Sequence, residues 1–493
     1  MRNPTIRHIT LICFIGIGIG IAGFILFPKI PVLSDSIGYF TVARNLLLAK
    51  GLVSSYVGPN EAFIMGLPCP DIHMPGWPLL VAGFMFITRT GLYAPLILNI
   101  LLTVSSALIF YFTVRLWSDT RRALVSSLFF LLFPLILGYE FTALSEISLV
   151  FWSLLAVFLA SASNPKRAVL WLAAIGLVYS LAFCTRQTSI LLVPLISLIL
   201  AENGFSRIHA VCFGLTLVLV SALANLAYSS VDSLREAQSL LFRYDLLLHT
   251  GFLKVSFNRA ILTPQDLSPD VPLTHLIWAV LLKKPVRMLA SYIAPESIWH
   301  LENLMKLLVV VVLAGGPFFV PRKRIRWGLL AFASLFLMAL WLYRFEARQF
   351  IALSAVTICF VFALARDLRM RPWLIRVIFS AWVILGVFYT LELQRERIAV
   401  YRAERDVAPV VAGLLPPCSK VSVGYPSTIA LYRSDISVVT IPEGTDDLAL
   451  LSEKPGLDAM ILSAPEPEIV SWGWSEETLI LNSDTLFVYR RIR

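Results

Sequence analysis

The chain has 493 residues, of which 58% are hydrophobic and only 15% charged, with a mean hydropathy of +0.79. A water-soluble protein of this size has no interior large enough to hide that much apolar surface, so the composition excludes that class and predicts a polytopic membrane protein. The net charge of +10 does not point to nucleic acid, because the basic residues fall in short clusters between apolar runs, as membrane topology requires.

Arg2 and Arg7 precede an apolar run over 9–28. The run is too long for a signal h-region and no small-residue cleavage site follows it, so it reads as an uncleaved first span. Further runs lie at 92–114, 123–138, 147–162, 168–183, 189–201, 208–228, 304–320, 327–343, 350–365 and 373–391. They predict about eleven transmembrane helices, since stretches near twenty residues without alternation do not suit barrel strands.

Residues 31–91 form the first outer loop. It opens on Asp35 and continues with an amphipathic pattern over 36–50, where Tyr39, Phe40, Ala43, Leu46 and Leu47 recur at helical spacing. His73 follows in Asp71-Ile-His73-Met-Pro75-Gly76-Trp77-Pro78, ahead of a short apolar segment over 77–88. Charge decides whether that segment crosses. If it does not, and the N-terminus is cytoplasmic, then Arg115, Arg121, Arg122, Lys166, Arg167, Arg207, the 322–326 cluster and the 366–376 cluster all fall inside. The segment is therefore expected to be an outer-face or re-entrant helix.

The same topology puts Glu140 and Glu146 at a second outer loop, over 138–145, with Glu146 opening the fourth span. A third outer loop runs over 229–302. The expected division is a transmembrane domain over 1–402 and an outer-compartment domain over 403–493. The tail carries short β-rich runs at 421–424, 430–432, 437–441, 459–462 and 485–489, separated by helix-like or turn segments such as 446–452, which predicts a small α/β fold.

Carboxylates beside the membrane are costly and need a reason. Asp35 reads as a general base at the membrane surface or as the N-cap of the helix behind it. Glu146 reads as a group that orients an acceptor or holds a cation, or as an acid favoured by a helix N-terminus, and Glu140 is its rival. His73 reads as a structural group or as part of the site lining. Arg44, Arg186, Arg243, Lys254, Arg259, Lys283, Lys284, Arg287, Arg344 and Arg348 fall on the outer side against the charge bias. Cations there either bind a phosphate or snorkel to lipid headgroups. The six cysteines have no metal-type spacing, and the sequence leaves open whether Cys69 and Cys418 pair. There is no Walker sequence, HExxH, CxxC or GxSxG. No ionisable residue sits in the middle of a span, which argues against an ion-coupled transporter.

In this order the chain resembles the GT-C polyprenyl-phosphate-sugar-dependent glycosyltransferases, in particular bacterial members similar to protein mannosyltransferases and the lipid A aminoarabinose transferase. The resemblance rests on Asp35 with Tyr39 and Ala43-Arg44-Asn45, on His73-Met-Pro75-Gly76-Trp77-Pro78, on Asn99 with Arg115-Leu-Trp117 and Arg121-Arg122, and on Leu144-Ser-Glu146 with Thr185-Arg186. It departs from the family at Ser36, where many members have a second acid, and at Glu146, where many have Asp. The late Glu-x-Arg-Tyr pattern survives only as Glu346-Ala-Arg348-Gln349.

The resemblance implies a membrane glycosyltransferase that moves a monosaccharide from a polyprenyl-phosphate donor to a lipid, glycan or protein at the outer face of a bacterial cytoplasmic membrane. Asp35 would be the base and Glu146 its acidic partner. Glu140, His73, Tyr39, Arg44, Arg186, Lys283, Lys284, Arg287 and Arg348 would bind substrate. A divalent metal is optional in such families, with Asp35 and Glu146 as its candidate ligands. The alternative reading is a transporter or flippase of lipid-linked saccharides.

Overall fold

A computed structural model of the chain describes residues 4–58, 69–70, 74–228, 278, 315–320, 322–342, 357, 372–424, 427–440, 448, 457–471, 474–481 and 484–491. Among these residues four helices are long and apolar enough to cross a bilayer: Pro4–Leu26, Gly91–Trp117, Pro165–Thr185 and Arg207–Ala224. A fifth is added if Thr120–Leu131 and Pro134–Glu140 are one span bent by 52°. The chain is a multi-pass membrane protein. Most of the run expected at 304–320, and all of that at 350–365 except residue 357, lies outside the described residues.

Two expected runs take a different form. The 123–138 run breaks at Pro134, whose ring removes a backbone N–H and drives Phe133 out of the helical region to φ −65° and ψ 123°. The 189–201 run begins as the 3-10 turn Gln187–Leu192 and becomes the ten-residue helix Val193–Glu202. The segment expected at 77–88 is the helix Gly76–Thr88, whose 13 residues are too few to span a bilayer core of about 30 Å at about 1.5 Å per residue.

The chain divides into two compact units. The described residues of Met1–Lys29, Pro95–Ala227 and Pro285–Arg395 form the first, and those of Ile30–Ala94, Tyr228–Lys284 and Glu396–Arg493 form the second.

In the first unit, helix α1 (Pro4–Leu26) buries Ile12 and a face of small residues, Gly16, Gly20 and Gly23. A Cβ on Gly16 would stand 2.8 Å from Val104 Cγ2, and one on Gly20 would collide with Ile100, so the backbone approaches the helix Ala94–Trp117 closely. This is how helices gain contact in lipid, where no hydrophobic drive separates one apolar surface from another. Glu146–Ala162 and Ala168–Thr185, of 17 and 18 residues, pack as neighbours through a five-residue connection.

In the second unit, helix α2 (Ser34–Leu47) packs on Gly76–Thr88 and buries Ile37 with Tyr39, Phe40 and Ala43 of the predicted face, while Leu46 is half-buried and Leu47 exposed. Strand β1 (Val53–Ser54) pairs antiparallel with β3 (Cys69–Pro70). Strand β2 (Tyr56–Val57) enters a six-stranded sheet of order β2-β5-β4-β6-β8-β7. Its other members are β4 (Lys420–Val423), β5 (Ser437–Thr440), β6 (Ala459–Leu462), β7 (Trp474–Leu481) and β8 (Asp484–Arg491). The first four strands in that order are parallel, and β8 and β7 run antiparallel as a hairpin. All four residues of β6 are buried, and it lies between β4, with which it is parallel, and β8, with which it is antiparallel.

The β-rich run expected at 430–432 is instead part of the 3-10 turn Ser427–Leu431. Its carbonyls are taken by a side chain and not by a ladder, as described below. Cys69 is buried and Cys418 exposed, and no disulfide joins them.

Candidate functional site

The first unit brings two of the predicted site residues together. Glu146 is the first residue of Glu146–Ala162, and Arg186 is the first residue after Ala168–Thr185. Two helices of nearly equal length joined by a short connection run antiparallel, so the start of one meets the end of the other. Arg186 leaves its helix in an extended conformation, φ −155° and ψ 133°, which frees its side chain to turn toward that start. Its Nη1 donates to Glu146 Oε1 and forms an ion pair with it. Glu146 is 2% exposed and Arg186 24%. The carboxylate is thus enclosed, while the guanidinium keeps part of its surface open.

The loop before Glu146 is held in a strained form. Ala143 has φ +58°, a left-handed conformation costing an L-residue roughly 1–2 kcal/mol, and it is fully buried. Asn99 Nδ2 donates to Leu144 O at 3.3 Å and ties this loop to the helix Ala94–Trp117. Strain of this kind persists only where the surroundings over-determine it. Glu146 Oε2, Asn99 Oδ1 and Glu140 Oε1 are buried with no hydrogen-bond partner among the described residues. An amide oxygen and an ionised carboxylate accept, so a ligand reaching Asn99 Oδ1 or Glu146 Oε2 would donate a hydrogen bond.

Asp35, Tyr39 and Arg44 lie in the second unit. Asp35 is half-buried in the first turn of α2. It is not the N-cap. That place is held by Leu33, whose N–H donates to Ser36 Oγ at 3.1 Å while the Ser36 hydroxyl donates back to Leu33 O at 2.7 Å. Tyr39 is buried at 7% exposure. Arg44 Nη1 donates to Leu431 O, and its Nη2 donates to Ala430 O and Arg433 O. Burial lowers its pKa to about 10, opposed by the charge of Asp435, so it stays a cation at neutral pH.

Sequence reasoning missed a second acid here. Glu404, 4% exposed at the end of the helix Pro372–Glu404, accepts from Ser427 Oγ at 2.9 Å and from Thr428 N at 2.6 Å. Burial pushes the Tyr56 phenol well up, and the negative charges of Glu404 and Asp35 add to it. Tyr56 therefore sits within electrostatic reach of both acids. The available signal was the seven-residue spacing of Arg397 and Glu404, which puts two charges on one helical face.

His73, Lys283, Lys284, Arg287 and Arg348 lie outside the described residues, as do Arg243, Lys254, Arg259 and Arg344. Asp35 and Glu146 belong to different units. Among the described residues, no three His, Cys, Asp or Glu side chains gather as a metal site.

Residues 72–228 match the family described as dolichyl-phosphate-mannose-protein mannosyltransferase. No curated protein matches the chain. Among solved structures, the chain is similar to the oligosaccharyltransferase AglB of Archaeoglobus fulgidus in complex with an inhibitory peptide and a dolichol-phosphate. Identity is 12%, coverage 100% of this chain and 74% of that one, and the TM-score 0.53. The same archaeal enzyme tethered to an acceptor peptide containing the NVT sequon is similar at 11% identity, with 100% and 74% coverage and a TM-score of 0.51. ArnT of Cupriavidus metallidurans bound to undecaprenyl phosphate follows at 13% identity, 97% coverage of each chain and a TM-score of 0.49. The family match is confined to that segment, and the likeness to the archaeal enzyme is one of fold.

Proposed function

We propose that the protein is a glycosyltransferase that moves a hexosyl or pentosyl unit from a polyprenyl-phosphate donor to a lipid, glycan or protein acceptor. The observation that carries this reading is the Glu146–Arg186 pair, buried where two helices end inside the segment matched to the mannosyltransferase family. The fold shared with an enzyme whose structure holds dolichol-phosphate supports a lipid-phosphate donor. The reading sets the site on the outer face of a bacterial cytoplasmic membrane, and the distribution of basic residues supports an N-terminus inside and a tail outside.

A lipid-phosphate sugar needs little activation of its leaving group. Asp35 accepts the proton of the acceptor hydroxyl or amine as the new bond to the anomeric carbon forms. The bond from that carbon to the phosphate oxygen breaks, and polyprenyl phosphate leaves. Arg186 meets the charge that develops on the departing phosphate, with Glu146 holding its guanidinium in one orientation. Lys283, Lys284, Arg287 and Arg348 would add positive charge, and His73 and Tyr39 would line the acceptor side.

The test is label transfer by purified protein from radiolabelled polyprenyl-phosphate sugars to a panel of membrane acceptors. Asp35→Asn is expected to lower the rate by about 10²- to 10⁴-fold with donor binding retained. A flippase needs no base, so full activity in Asp35→Asn together with movement of the lipid across vesicles would replace this reading.

A further inference from the structure

The helix that carries Asp35 is fastened by Arg44, and the residue Lys50 beyond it, to the turn and loop between two strands of the C-terminal sheet. Arg44 donates to Leu431 O at 3.0 Å, to Ala430 O at 2.9 Å and to Arg433 O at 3.0 Å. Lys50, just past the helix, donates to Ser434 O at 2.7 Å. The chain then turns, with Asn45 Nδ2 donating to Val53 O at 2.8 Å and Ser55 Oγ at 2.9 Å. It enters the sheet as β2, where Tyr56 pairs with Val438 and Val57 with Val439.

The turn Ser427–Leu431 is closed at both ends by distant residues of the same unit. Glu404 accepts from its first groups, Ser427 Oγ and Thr428 N, and Arg44 takes the carbonyls at its end. An acid at the amide end and a cation at the carbonyl end both agree with the local dipole. A forked guanidinium on three carbonyls fixes one orientation, which a lysine reproduces only in part.

Arg44 follows Asp35 by nine residues, or about 14 Å along a helix rising about 1.5 Å per residue. It sets the axis of α2 from the end remote from the acid. A tilt of about 5° over that length moves the carboxylate by about 1 Å, and a misplacement of that size costs about 100-fold in rate.

We propose that Arg44 is a positioning residue for the transfer reaction: with the carbonyls of Ala430, Leu431 and Arg433 it fixes the place of the Asp35 carboxylate, so the C-terminal sheet is part of the machinery that activates the acceptor. This rests on the assignment of Asp35 as base. Arg44 is then a clamp on the protein's own backbone and not a phosphate ligand.

The experiment compares full-length wild type, Arg44→Ala, Arg44→Lys and Asp35→Asn in lipid nanodiscs. It measures amide hydrogen exchange over 34–50 and 427–434 alongside steady-state transfer. Arg44→Ala is expected to speed exchange in both segments together and to lower kcat about 10- to 100-fold, with KM for the donor within about twofold. Arg44→Lys recovers part of each loss, and carries the test with the same signs if the alanine variant does not fold. Unchanged exchange over 34–50 in the Arg44 variants, or faster exchange with unchanged kcat, overturns the proposal. So does a raised donor KM at unchanged kcat, which would make Arg44 a donor ligand. Asp35→Asn is expected to keep wild-type exchange and lose transfer. Retained transfer in Asp35→Asn would remove the base assignment, and with it the catalytic role of the clamp, while the exchange data would still report the clamp itself.

Discussion

Removing Arg186 and removing Glu146 are expected to have unequal costs, because their burial is unequal. Arg186→Leu leaves a carboxylate that is 2% exposed without its cation, and breaking such a pair costs about 3 kcal/mol, the lower end of the range for buried pairs. Glu146→Leu leaves a guanidinium that is 24% exposed and recovers part of its hydration, so about 1.5 kcal/mol is expected. The double substitution removes both charges and returns within about 1.5 kcal/mol of wild type, where simple addition would give about 4.5. The coupling energy is then about 3 kcal/mol. Unfolding in mixed micelles with increasing SDS, followed by tryptophan fluorescence, reads all four proteins. The double variant should regain stability but not transfer activity. An additive double variant, or a Glu146→Leu more costly than Arg186→Leu, would refute the reasoning.

Two further outcomes follow from packing and charge. Gly20→Val places side-chain atoms against Ile100 and should destabilise the first unit by about 1–3 kcal/mol in the same unfolding assay, whereas Gly18→Val, with open space at its Cβ, should cost little. In the second unit the Arg433 guanidinium bonds both oxygens of Asp435, at 2.7 and 2.5 Å, and holds that carboxyl well below the usual range, with help from Cys418 N at 3.1 Å. A carboxylate whose folded pKa is depressed contributes stability above its unfolded pKa and loses it as the pH falls. The gap in melting temperature between wild type and Asp435→Asn should therefore be full at neutral pH and close below about pH 4. A gap that stays constant from neutral pH to acid would show that the pair does not act through charge.

Much of the helical frame was legible as apolar length. The 147–162 and 168–183 runs coincide almost residue for residue with Glu146–Ala162 and Ala168–Thr185, although the sequence reading did not pair Glu146 with Arg186. The face of α2 was legible from its 3.6-residue spacing. Pro134 was also visible, yet the apolar run on both sides masked the bend it makes. What sequence could not yield were contacts of long separation between short segments. Two residues of strand at 56–57 carry no periodicity, and nothing local marks their pairing with 438–439. Residues 430–432 looked like a strand because they are apolar; a guanidinium from α2 claims the carbonyls of Ala430 and Leu431 instead. Glu404 looked like one charge among several in a polar stretch.

The pairing beside which the Thr440 hydroxyl reaches Val57 O, 383 residues away, also sets a timetable for making the protein. At roughly 5–20 residues per second, synthesis leaves the early segment waiting roughly 20–80 s before its neighbour leaves the ribosome. During that interval the translocation machinery inserts the intervening spans while an unpaired edge stays bare. Premature termination anywhere before residue 437 would strand that edge permanently, so shortened products should be conspicuous clients of chaperones and proteases.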